Sequence, residues 1–152
     1  MHYNNDQGQL WATGITLGNF AAITASVNAA AASGIGWARQ ALILLDVTDL
    51  DKDVGDLLDV YIDITPDAGA TWINAIHFPQ VLGNAAAQKH WAFLNPENTG
   101  TATINVTTDA AAGVMRQIGL TDSIRVRAVV TPDADDPADH FFTFVVKAYL
   151  RS

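Results

Sequence analysis

Residues 57–80, LLDVYIDITPDAGATWINAIHFPQ, leave little choice in how they can fold. Leu58, Val60, Ile62 and Ile64 alternate with Asp59, Tyr61 and Asp63, the two-residue period of a strand with one buried face. The run Thr65-Pro66-Asp67-Ala68-Gly69-Ala70-Thr71 then supplies turn chemistry. Pro66 fixes φ, Asp67 can fold its carboxylate onto backbone N–H groups, and Gly69 permits positive φ. Trp72, Ala75 or Ile76, and Phe78 resume the strand. The segment predicts a β-hairpin, and a chain committed to it is committed to a sheet.

The same grammar recurs along the chain. Residues 1–9 are polar and read as a flexible arm, and residues 10–152 read as a single β-sandwich domain. Strands are predicted at 10–20, 21–27, 37–47, 90–94, 101–108, 122–131 and 140–151, besides the hairpin. The run Asn28–Ala32 has high helix propensity, but Gly34 and Gly36 follow at once and no capped stretch reaches helical length. ALILLDV at 41–47 is apolar nearly throughout, as in a central strand covered on both faces. Residues 49–56 and 132–139 are acidic loops, 82–88 is a small-residue loop, and 109–120 holds one helical turn or a loop. The total, about eight antiparallel strands without strand–helix alternation, predicts an all-β antiparallel sandwich of jelly-roll type, with an immunoglobulin-like sandwich as the second architecture.

A chain of 152 residues suffices for one core, burying roughly 70% of its unfolded surface. It has no cysteine and so no disulfide. The opening MHYNNDQGQL has neither a basic nor an apolar signal region, and no apolar run approaches the ~20 residues of a membrane span. Eight basic against 16 acidic residues give a net charge of −8, and the basic residues are scattered, Arg125 and Arg127 being the nearest to a cluster. That argues against direct nucleic-acid binding and against adsorption to anionic membranes. Charged residues are only 16% of the chain, below the roughly 25% usual for soluble domains, so part of the surface is expected to be hidden against partners.

No catalytic constellation is visible, and no catalytic, cofactor-binding or metal residue is assigned. Asp49-Leu50-Asp51-Lys52-Asp53 begins like a calcium loop, but the glycine comes one place late at Gly55 and the twelfth position is Val60 rather than Glu. Asp133, Asp135, Asp136, Asp139 and His140 could gather a hard cation, or form a solvated hairpin tip. His2, His77, His90 and His140 lie on separate elements, His77 and His90 on strands predicted to be neighbours. There is no GxSxG elbow and no Gly-rich phosphate loop. Trp11, Trp37, Trp72 and Trp91 either fill a core or a subunit interface, or form a sugar-stacking platform.

Two resemblances bear on this. Thr65-x-Asp67-x-Gly69-x-Thr71-Trp72 resembles the Asp-box hairpin of sialidases, where the motif is a structural turn remote from catalysis; here it occurs once. ALILLDVT, LLDVYIDITPDAGATW with AIHFPQ, DSIRVRAVVT and FTFVVKAYLR together are similar to small virion proteins of tailed phages. In particular the chain, over residues 41–151, looks like the jelly-roll decoration (cement) proteins of HK97-like capsids. The resemblance implies a non-catalytic protein without cofactor, made in the host cytoplasm and bound to the outer capsid surface of the virion. Its partners would be the major capsid protein and itself, as a dimer or trimer. Tyr3, Leu10, Trp11 and Phe20 are the expected capsid or subunit contacts, with the arm ordering on docking. The alternative is a carbohydrate-binding sandwich, free or in a phage tail or fibre.

Overall fold

The computed structural model describes residues 14–51, 53–95, 109–116, 118–135 and 140–152. Among the described residues eleven strands are formed: β1 (Ile15–Ile23), β2 (Val27–Asn28), β3 (Ala32–Ser33), β4 (Gln40–Leu50), β5 (Leu57–Thr65), β6 (Ile73–His77), β7 (Val81–Leu82), β8 (Gln88–Leu94), β9 (Val114–Met115), β10 (Ser123–Thr131) and β11 (Phe142–Arg151). No helix occurs among the described residues. One sheet has the order β1-β11-β4-β8; the other runs β2-β10-β5-β6-β9, with β3 also on β10 and β7 on β5. Every pairing is antiparallel.

The two sheets close on each other because each long strand has one apolar face. Leu58, Val60, Ile62 and Ile64 of β5 lie opposite Val130, Ala128, Val126 and Ile124 of β10, and all are buried. In the other sheet Ala41, Ile43, Leu45 and Val47 of β4 lie beside Leu150, Ala148, Val146 and Phe144 of β11, again buried. Each Val, Leu, Ile or Phe side chain among them contributes ~1.5–3 kcal/mol by leaving water. The result is the two-sheet sandwich expected from the alternation.

Several details differ from expectation. The first strand is β1, running to Ile23 in place of separate strands at 10–20 and 21–27; residues 10–13 lie outside the described residues. Pairing with β11 holds it together through a bulge, where Ala22 takes φ 46° and its N–H donates to Thr143 Oγ1 at 3.0 Å. Strand β4 starts at Gln40 because residues 35–38 make a turn, Ala38 N–H donating to Ile35 O. It ends at Leu50, so Asp49 belongs to the strand. Residues 109–120 form a loop containing the short β9, with no helical turn among those described. The arm and the predicted strand at 101–108 lie outside the described residues.

Phe20, expected at an interface, is 6% exposed and stacks on Phe144 inside the core, ring centroids 4.4 Å apart. The tryptophans do the opposite. Trp37 and Trp91 are 54% and 55% exposed, and Trp72 is half-buried, so none of the described tryptophans fills the core.

The 57–80 hairpin forms as β5 and β6, and its turn is closed by side chains. Asp67 Oδ1 accepts from Thr71 N–H at 2.7 Å and from the Thr65 hydroxyl at 2.9 Å, while Thr65 Oγ1 accepts from Gly69 N–H at 2.8 Å. Gly69 takes φ 97°, which a side chain would resist. Hydrogen bonds from Thr71, backbone first, hold the Asp67 carboxyl below its ordinary pKa of 3.8. A depressed folded-state pKa stabilises above the ordinary value and stops doing so as pH falls through the folded one. Urea unfolding of Asp67→Ala against wild type should therefore show a deficit at neutral pH that shrinks as the pH drops well below 3.8. A deficit independent of pH would contradict this account of the turn.

Candidate functional site

The outward residues of β5, β6 and β10 build a polar and aromatic lattice. Register places Arg125, Asp63 and Asn74 in one row across the three strands, and Arg127, Tyr61 and His77 in the next. Asp63 is 2% exposed, and its carboxylate accepts from Arg127 Nε at 3.0 Å and, more loosely, from the Arg125 guanidinium at 3.4 Å. Arg127 also reaches Asp109 at 2.7 Å. Burial alone would lower the Arg127 pKa, but hydrogen bonds to Asp63 and Asp109 outweigh it and raise the value.

Each aromatic ring here is occupied by a protein neighbour. The Arg125 guanidinium sits 4.1 Å from the Trp72 ring centre, and the Arg127 guanidinium 4.0 Å from that of Tyr61. Tyr61 has His77 stacked at 4.1 Å as well. Burial first, then Asp59 and Asp109, pushes the Tyr61 phenol up. Both His77 nitrogens face acceptors, Nε2 the Asp59 carboxylate at 2.9 Å and Nδ1 the Ala110 carbonyl at 2.8 Å.

Asn74 ties the lattice to the sheet. Strand β6 bulges at Ala75, and the Asn74 amide donates toward Ile62 O, Ile76 O and Asp63 Oδ1 while accepting from Ala110 N–H at 2.9 Å. The freed Ala75 carbonyl accepts from Arg116 N–H at 2.8 Å. Residues 109–116 thus lie over the lattice as a cover. It is a self-satisfied surface, with no ring face left for a sugar at Tyr61.

The outer face of the other sheet is different. Leu42 and Leu44 of β4 point outward, opposite Phe93 and Trp91 of β8 and Tyr149 and Lys147 of β11. Trp91 lies 6.2 Å from Tyr149, tilted, and more than half of it meets solvent. Lys89 and Asp46 pair at the rim of this face, at 2.8 Å. Leu42, Leu44, Trp91, Phe93 and Tyr149 make up its middle, with Lys147 exposed beside Leu44.

An open groove of about 680 Å³ runs between β1 and residues 27–32, lined by Phe20, Ile23, Val27 and small residues and carrying no titratable side chain. His77 and His90, expected on neighbouring strands, are on different sheets. His90 pairs with Gln88 at 2.9 Å, and burial lowers its pKa. Phe20 is in the core, while Tyr3, Leu10 and Trp11 lie outside the described residues. The sequence reasoning missed the outward lattice, although the alternation Asp59-Tyr61-Asp63 against Arg125-x-Arg127 carried its signal.

Among the described residues, no helix is long and apolar enough to cross a membrane. No family model, no curated protein and no solved structure matches this chain.

Removing the Asp63 carboxylate leaves Arg125 without its anionic partner and Asn74 without one acceptor. Asp63→Ala should cost about 3 kcal/mol in urea unfolding, the low end for a buried pair because the guanidiniums keep some water. A loss below about 1 kcal/mol would show the lattice to be ordinary surface pairing.

Proposed function

We propose that this chain is a non-catalytic structural virion protein that binds the outer surface of an HK97-like phage capsid and stabilises the lattice, associating with itself as a dimer or trimer. The observation that carries the reading is the outward face of Leu42, Leu44, Trp91 and Tyr149, apolar at its centre and exposed at Trp91. Exposed aromatics at the centre of a flat apolar patch act as anchors in protein contacts.

The strand order supports a jelly-roll type. Counting the short β2 and β3 as one strand and leaving out β7 and β9, eight strands remain, paired first to eighth, second to seventh, third to sixth and fourth to fifth. Those are the rungs of one long hairpin rolled into two sheets. A sandwich so interlocked is stiff, which suits a clamp across capsomer joints. The acidic charge would face away from packaged nucleic acid, and the arm with Tyr3, Leu10 and Trp11 would add contacts on docking.

The second reading, a carbohydrate-binding sandwich, draws on the same Trp91 beside Tyr149. The two part experimentally. Shells assembled from the major capsid protein of the same genome, incubated with the purified chain and viewed by electron microscopy, should carry regular density on their outer surface. Trp91→Ala should weaken that occupancy roughly tenfold or more while leaving the unfolding transition in place. Bare shells at saturating protein, together with binding on a glycan array, would sink the capsid reading.

A further inference from the structure

The two acidic loops, far apart in sequence, meet at one end of the sandwich. Asp56, between β4 and β5, accepts from the Asp133 N–H on its Oδ1 at 2.7 Å, and Asp133 lies in the loop after β10. The fit is close: a side chain on Gly55, which takes φ 108°, would run into the Asp133 carboxylate. Asp51 faces the same junction, its Oδ2 accepting from Phe141 N–H at 3.2 Å and its Oδ1 from Asp53 N–H at 3.1 Å. Asp51, Asp53, Asp56 and Asp133 have no Lys or Arg partner among the described residues.

Asp56 is the telling member. It is 0% exposed, and its Oδ2 has no hydrogen-bond partner. A buried carboxylate oxygen left bare costs free energy, and such an oxygen calls for water, a proton or an ion. The charged groups acting on Asp56 are the carboxylates of Asp51 and Asp53.

We propose that this junction is a site for a divalent cation of calcium's kind, held by Asp56 Oδ2 together with Asp51 and Asp53 of the same loop and Asp133 of the other. Hard oxygen donors from flexible loops suit calcium, which accepts irregular shells of six to eight oxygens. Among the described residues no three acidic or imidazole groups already share one point, so binding draws the loop carboxylates of Asp53 and Asp133 toward the fixed Asp56. Asp49 stays outside the site: it belongs to β4, and its Oδ1 accepts from Leu50 N–H. The calcium-loop-like spacing of 49–53 therefore contributes its second and third acids only, and the rest come from elsewhere in the fold. Burial, then the neighbouring carboxyls, raises Asp56 above the ordinary carboxylate value, against the pull of the Asp133 N–H.

The test is thermal unfolding of the whole chain in EGTA, in calcium chloride and in magnesium chloride, with calorimetric titration of calcium. At roughly a hundredfold excess over its dissociation constant, calcium should raise the midpoint by about 5–10 °C, magnesium less, and Asp56→Asn should abolish the rise. No calcium-dependent shift and no binding heat in the wild type would overturn the proposal, as would an Asp56→Asn variant that keeps the full shift. A variant more stable than wild type in EGTA, with neither responding to calcium, would assign the oxygen to a proton. Should Asp56→Asn fail to fold, Asp53→Asn carries the test: calcium affinity is expected to fall about tenfold, and an unchanged affinity refutes the site.

Discussion

The strand period of β5 is the constraint from which the rest follows. Burying Leu58, Val60, Ile62 and Ile64 obliges Asp59, Tyr61 and Asp63 to the opposite face. In the middle of a sheet that face is crowded, and Asp63 ends nearly without water. A carboxylate there must be matched, and the register with β10 brings Arg125 and Arg127 beside it. A slip of one residue would put both arginines against the core. The ion pairs thus act on specificity of pairing as much as on stability, penalising the wrong register.

The same demand explains the cover of residues 109–116. Asp63 needs donors beyond the two guanidiniums, and Asn74 supplies one from a strand that must bulge at Ala75 to present it. The bulge frees the Ala75 carbonyl, which the Arg116 N–H satisfies, and the Asn74 oxygen takes the Ala110 N–H. A loop whose regular structure is the two-residue β9 is held by the hydrogen-bonding needs of the strand beside it.

What could be read from the sequence was whatever obeys a local period. The apolar alternation of Leu58, Val60, Ile62 and Ile64 in β5, and that of β10 and β11, is uninterrupted, and the positions of these strands follow from it. Strand β1 was misplaced because its ends are set by pairing with β11 and by a bulge at Ala22, a position of no special composition. Phe20 was expected at an interface and Trp91 was left open between core, interface and sugar platform for a related reason: a large ring is equally at home in a core or on a face, and only the pairing of Phe20 with Phe144, and of Trp91 with Leu44, decides. The meeting of Asp56 with Asp133 joins residues 77 positions apart, a distance no motif spans.

The arrangement also accounts for where the charge ends up. Arg125 and Arg127 are taken up by Asp63 and Asp109, and Lys89 by Asp46. The surplus negative charge is left on the loops, with Asp51, Asp53, Asp56 and Asp133 at one end. One outer face is closed by its own ion pairs and cover, and one end is strongly anionic. The face around Leu44 and Trp91, with Lys147 beside Leu44 and Lys89 paired at its rim, is where a neighbour would desolvate fewer charges than at the anionic end. Because fixed negative charge at one end repels a like end, copies gathered on a common surface would be driven to set their acidic loops apart, which orients them without any further contact.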